Sequence, residues 1–190
     1  MARKVFLISC CILAAACSDK KTTPYTVAAD GYAAIAGDFA EAGYEVTPVG
    51  DIPTENSAVY DGYIILDAGS IWLRESYAGE MTLEAQFDAN TVSGSADNLY
   101  DRSGAPVAGS LVIGGGVIDR ASPSAGGGQI TADLDGLLTD SKGVDLTVDT
   151  EMVGDFYGPD AEGFLALING TMSSPEHGVE DLTGRSIGVK

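Results

Sequence analysis

From Ser57 onward the chain alternates apolar and polar residues with a period of two. Between Glu80 and Asp88, the residues Met81, Leu83, Ala85 and Phe87 alternate with Glu80, Thr82, Glu84, Gln86 and Asp88. An extended chain with that pattern turns one face to a core and leaves the other in water. The pattern recurs from Gln129 to Gly136, where Ile130, Ala132 and Leu134 oppose Gln129, Thr131, Asp133 and Asp135, and from Val144 to Asp149, where Val144, Leu146 and Val148 oppose Asp145, Thr147 and Asp149. Less regular strands are expected at 58–67, 91–97, 109–118, 151–157, 164–171 and 184–189. Turn-forming clusters separate them: Asp88-Ala89-Asn90, Ser103-Gly104-Ala105-Pro106, the Ser122 to Gly128 run and Ser141-Lys142-Gly143. About eight short strands, each with one buried face, predict an all-β domain that is a closed antiparallel barrel or a sandwich. Closure removes the unpaired edges that an open sheet exposes.

Before the strands, a helical period is legible only at 31–43, where Ile35, Phe39 and Ala42 share a face, Asp30 is placed to cap it and Gly43 to end it. Gly37 weakens that helix by about 1 kcal/mol relative to alanine. The segment 44–57, with Pro48, Gly50, Asp51 and Pro53, reads as a linker.

The N-terminus has a different grammar. Arg3 and Lys4 precede an apolar run, Val5 to Ala16, broken only by Ser9, which is the layout of a secretion signal. Roughly twelve apolar residues are too few for a resident transmembrane helix, which needs about 20. The run ends Leu13-Ala14-Ala15-Ala16-Cys17, which resembles the lipobox of bacterial lipoproteins, with Leu13 four residues before the cysteine where the usual pattern has three. Cys17 is thereby expected to carry the lipid. The alternative is a soluble secreted protein cut at Ala14-Ala15-Ala16, which would leave Cys17 a lone thiol in an oxidising compartment. Cys10 and Cys11 leave with the signal, so no internal disulfide is expected. Residues 1–16 are thus read as signal peptide, 17–24 as a polar tether, 25–54 as a small N-terminal segment and 55–190 as the barrel.

Charge narrows the partners. The formal net charge is −18, from 10 basic and 28 acidic residues, and loss of Arg3 and Lys4 leaves 8 against 28, or −20. Binding of nucleic acid or anionic lipid through a basic patch is disfavoured. Apolar residues at 45% suffice for a core.

The segment Gly154-Asp155-Phe156-Tyr157-Gly158-Pro159-Asp160-Ala161-Glu162 resembles the Gly-x-Phe-Tyr-Gly-Pro-x-Ala signature of the transferrin-binding-protein-B-like barrel lipoproteins. Pro53 to Gly62 is similar to that family's lead-in to its first barrel strand, and Tyr77-Ala78-Gly79 with Leu83 and Phe87 to its next strand. Where the family usually has a glutamate and then a glycine pair, Gly163, Leu165 and Ala166 stand here. The resemblance implies an eight-stranded antiparallel up-and-down β-barrel. It also implies a non-catalytic lipoprotein of the outer membrane or cell surface that binds a protein, haem or an iron-linked ligand. The alternative is a structural envelope lipoprotein that docks on an outer-membrane partner and holds no small ligand. The signature residues Gly154, Phe156, Tyr157, Gly158, Pro159 and Ala161 are read as structural. Gly158 is free to take φ > 0 before a φ-locked Pro159, and Phe156 and Tyr157 point to opposite faces of a strand, one into the barrel and one outside it.

Catalytic and metal chemistry finds little support. His177 is the only histidine and lies in a loop-like stretch without the surrounding text of a zinc site or a serine hydrolase. Its sharper use is as an axial haem ligand. Asp133-Leu134-Asp135-Gly136 begins like a calcium loop but lacks the closing glutamate. The triple glycines at 114–116 and 126–128 lack the lysine and helix of a phosphate cradle and are expected to be a strand kink and a loop. Asn169-Gly170-Thr171 matches a glycan acceptor, uninformative behind a bacterial lipoprotein signal. Catalytic residues, metals and cofactors other than haem are therefore not expected.

Overall fold

The computed structural model describes residues 22–69, 75–121, 129–176 and 178–190. Among the described residues one α-helix, α1 (Pro24–Ala42), precedes eight strands: β1 (Ser57–Ala68), β2 (Glu75–Gln86), β3 (Thr91–Asp101), β4 (Ala108–Ile118), β5 (Ile130–Thr139), β6 (Asp145–Tyr157), β7 (Gly163–Ser174) and β8 (Gly178–Val189). Each strand pairs antiparallel with the next, and β8 returns to β1 with Asp61 opposite Val189 and Ala68 opposite Leu182. The sheet is a closed up-and-down barrel, which decides against the sandwich.

The period-two pattern is what closes it. Met81, Leu83 and Ala85 of β2, Ile130 and Leu134 of β5, and Leu146 and Val148 of β6 all face a single core and are buried. Aromatic rings pack together in that core: Tyr60 lies 5.9 Å from Phe156 and 5.7 Å edge-on from Phe164, and Phe87 lies 5.7 Å from Phe156. Eight strands enclose just enough room for such side chains.

Four expectations are corrected. The separate strands at 144–149 and 151–157 are one strand, β6, because the alternation runs on through buried Thr150 to Met152, Gly154 and Phe156. The helix begins seven residues earlier than its apolar period: Thr23, read as tether, caps it by accepting from the Thr26 backbone N–H at 3.3 Å, and Pro24 occupies the first turn, where its missing N–H costs nothing. Asp30 is consequently a mid-helix residue and not the cap, and Ala42 is exposed while Ala28 joins Phe39 on the buried face. The linker 44–57 is a strap packed across one end of the barrel, with Ile52 in the barrel core. Gly43 ends the helix in a left-handed conformation with φ 67°, and the 114–116 glycines form an irregularity where the β4–β5 register shifts.

Candidate functional site

The signature residues sit at the end of the barrel where β6 turns into β7. Phe156 is inside, fully buried. Tyr157 is outside, its ring 5.8 Å from Phe39 of α1, which in turn stacks 5.5 Å from Tyr44. Gly158 takes φ 80° and ψ 173°, a region essentially restricted to glycine, and a Cβ there would meet the Tyr44 ring at 3.0 Å. Ala161 is buried, and its carbonyl accepts a 2.7 Å hydrogen bond from the Tyr60 hydroxyl.

The strap completes this end. Val46 bridges Tyr157 antiparallel; Thr47 N–H donates to the Phe156 carbonyl at 2.8 Å, and Gly158 N–H to the Glu45 carbonyl at 3.0 Å. Gln129 ties three segments together, its amide donating to the Thr47 carbonyl at 2.5 Å while its side-chain oxygen accepts from Phe156 N–H at 3.0 Å. Arg120, next to Asp119 whose N–H donates to the Gln129 carbonyl at 2.8 Å, also ties segments together. Its guanidinium donates to the carbonyls of Ile52 (3.0 Å), Phe87 (3.2 Å) and Pro53 and to the Asn90 side chain. Neither Gln129 nor Arg120 was expected from the sequence; the available signal is that Arg120 is the only basic residue between Arg102 and Lys142. The phenols here are hard to ionise. Burial pushes Tyr60 and Tyr157 up, and Tyr44 is raised chiefly by its hydrogen bond to the Glu162 carboxylate.

At the opposite end, Glu75, Tyr77, Asp101, Ser103, Asp140 and Lys142 surround a depression of about 200 Å³. Its carboxylates are engaged locally. Asp101 accepts from Ser103 N–H (2.8 Å), Ser103 Oγ (2.6 Å) and Ala105 N–H (3.0 Å), and Asp140 accepts from Lys142 N–H and Val144 N–H, both at 2.8 Å. Burial pushes the Asp101 carboxyl up, but those donors outweigh it and hold the group below the usual range. Tyr77 is pushed up by burial and by its 2.7 Å bond to Glu75.

On the outer wall, α1 lies across β1 and β2 over a second small cluster, Ala28, Ile65 and Ala78, bordered by Tyr25, Tyr32 and Tyr63. The Arg185 guanidinium stands 5.1 Å over the Tyr32 ring. Two open grooves of about 460 and 520 Å³ flank the helix and share Tyr63 and Glu80.

The signal peptide, Cys17, the 126–128 glycines and His177 lie outside the described residues. Asp133 and Asp135 are outward-facing strand residues, opposite Glu151 and Asp149. Among the described residues no group of three or more His, Cys, Asp or Glu side chains is arranged to hold a metal, and no helix is long and apolar enough to cross a membrane.

No protein-family model matches the chain, and no curated protein matches it. Among solved structures it is similar to two mutant forms of the vaccine antigen Transferrin Binding Protein B from Haemophilus parasuis Hp5. These show 16% and 17% identity, each with a TM-score of 0.47, over 76% and 77% of this chain and 28% and 29% of theirs. It is likewise similar to intact Ap-TbpB, N and C lobes, at 15% identity and TM-score 0.47 over 76% of this chain and 28% of that one. The chain thus spans less than a third of the length of these proteins.

Proposed function

We propose that the chain is an outer-membrane lipoprotein, anchored through Cys17, whose barrel is a non-catalytic scaffold that binds a protein through its outer surface and end turns. The observation that carries this reading is the filled interior: Tyr60, Phe87, Phe156 and Phe164 occupy the space in which a ligand-carrying barrel holds its guest. The Gly154–Ala161 signature supports the same reading. Its side chains are engaged in packing and in bonds within the chain, which suits a lock for the scaffold better than a contact with ligand. Haem or another small ligand inside the barrel is disfavoured by the same packing.

Three measurements test it. Palmitate supplied to growing cells is incorporated into the chain, and the label disappears in Cys17→Ala. Haem titrated into the purified mature protein gives no saturable shift of its absorption band; a stoichiometric shift would return the reading to haem capture. Protease added to intact cells distinguishes a surface role, in which the barrel is cleaved or shaved away, from an inward-facing structural role, in which it is protected.

A further inference from the structure

The two ends of the barrel are not equivalent with respect to the anchor. Helix α1 starts against the β3–β4 turn, where a Cβ on Gly104 would come within 2.7 Å of Thr23 Cβ, and finishes against the β6–β7 turn, where Tyr44 packs on Gly158. It therefore runs the height of the barrel, and its 19 residues measure about 28 Å at 1.5 Å each. Only residues 18–22 separate Cys17 from Thr23. At roughly 3.3–3.6 Å per residue those six steps span about 20 Å at most, less than the length of the helix.

We propose that the barrel stands on the membrane with the turns around Gly104 and Ser141 facing the lipid and the strap end, 44–56, directed away from it. This rests on the anchoring through Cys17 proposed above. Inversion would require the start of α1 to lie a full helix length above the surface, beyond the reach of the tether. Lying flat is opposed by charge. The exposed side of α1 carries Asp30, Asp38 and Glu41 with no basic residue in the helix, and the β5–β6 wall sets Asp133 opposite Glu151 and Asp135 opposite Asp149. Both walls are repelled by anionic headgroups. The tethered end is less acidic: Arg102 and Lys142 lie at its rim against Glu75, Asp101 and Asp140, a smaller excess of negative charge than either wall carries, and Lys20 and Lys21 follow Cys17 in the sequence. The strap end, built from residues 44–56 and the turns at 87–90 and 158–162, is then the surface that meets partners outside the bilayer.

The sequence supplies a clean probe, since Cys17 is the only cysteine after the signal and lipidation consumes its thiol. Single cysteines are introduced into the full chain as Ser141→Cys at the tethered end, Val112→Cys on the exposed mid-wall and Ala89→Cys at the strap end. Each lipidated protein is labelled with a small fluorophore and reconstituted in phosphatidylcholine–phosphatidylglycerol vesicles carrying a headgroup quencher. Quenching is expected to be several-fold stronger at 141 than at 89, with 112 intermediate. Equal quenching at 141 and 89, or stronger quenching at 89, overturns the orientation, and strongest quenching at 112 overturns it in favour of a barrel lying on its side. Failure of the anchor is seen separately, as a chain that takes up no palmitate and does not float with vesicles, and it overturns both readings.

Discussion

Gly158 is where the chain's local chemistry meets the fold most tightly. Its φ of 80° and ψ of 173° cost a non-glycine residue about 1–3 kcal/mol, and the Tyr44 ring leaves a Cβ little room. Gly158→Ala is expected to lower the thermal midpoint by about 5 °C, taking a few degrees per kcal/mol for a domain of this size, with the barrel otherwise intact. An unchanged melt would show that this turn relaxes freely. The tyrosines make a second test. Tyr60 and Tyr77 are held above the ordinary phenol value of 10.0 by burial, with the Glu75 bond adding to Tyr77. A phenol whose folded pKa exceeds its unfolded one contributes stability that is complete below about pH 10 and is lost as pH rises beyond it. Urea midpoints should therefore hold from pH 7 to 9 and fall between pH 10 and 11, less steeply in Tyr77→Phe; midpoints flat to pH 11 would contradict the burial. At this scale the sequence was informative about local geometry. Phe156 and Tyr157 point to opposite faces simply because they are neighbours in a strand, and the structure places them so. It was silent on Tyr60 reaching Ala161 and on Gln129 reaching Thr47, which join residues 101 and 82 positions apart.

Elements were legible where period and burial coincide. β5, and β2 from Glu80 onward, stood out because each has one wet and one dry face there, whereas Ser76 to Gly79 of β2 are all buried, Ala78 beneath α1. β8 was half-seen, since Val179 is exposed and Gly178 and Gly184 interrupt the pattern; pairing with both β7 and β1 carries it. The strap was misread for a plain reason. Proline and glycine report local conformation, and nothing local reveals that Ile52 enters the core or that Arg120 holds the carbonyls of Ile52 and Pro53. Charged hydrogen bonds contribute about 1.5–3 kcal/mol, so Arg120→Ala should destabilise the protein by about 2 kcal/mol and accelerate amide exchange over 49–56. Arg120→Lys should recover less than half of this, because a point charge cannot span the three carbonyls and one amide that a planar guanidinium reaches. Full rescue by lysine would mean that charge alone, and not the fork, holds the strap.

The whole molecule is a closed sheet with a solid centre and a strongly negative exterior, and its function follows from which of these surfaces is open to others. A filled interior leaves the walls and ends; in the proposed reading, an anchor at Cys17 and the helix that spans the barrel decide which end is free. Closure was readable in outline, because eight half-buried strands need a partner for every edge, yet barrel and sandwich share that alternation and only the β8–β1 pairing separates them. The most direct test of the solid interior is binding of a small apolar probe. Xenon or benzene, followed by NMR of the methyl groups of Leu83, Ile113 and Ile168, should leave the wild-type spectrum unshifted. Phe156→Ala, which opens a cavity beside Tyr60 and Phe87 at a cost of about 3–5 kcal/mol, should gain saturable shifts there. Saturable shifts in the wild-type protein would reveal an internal cavity and contradict the account.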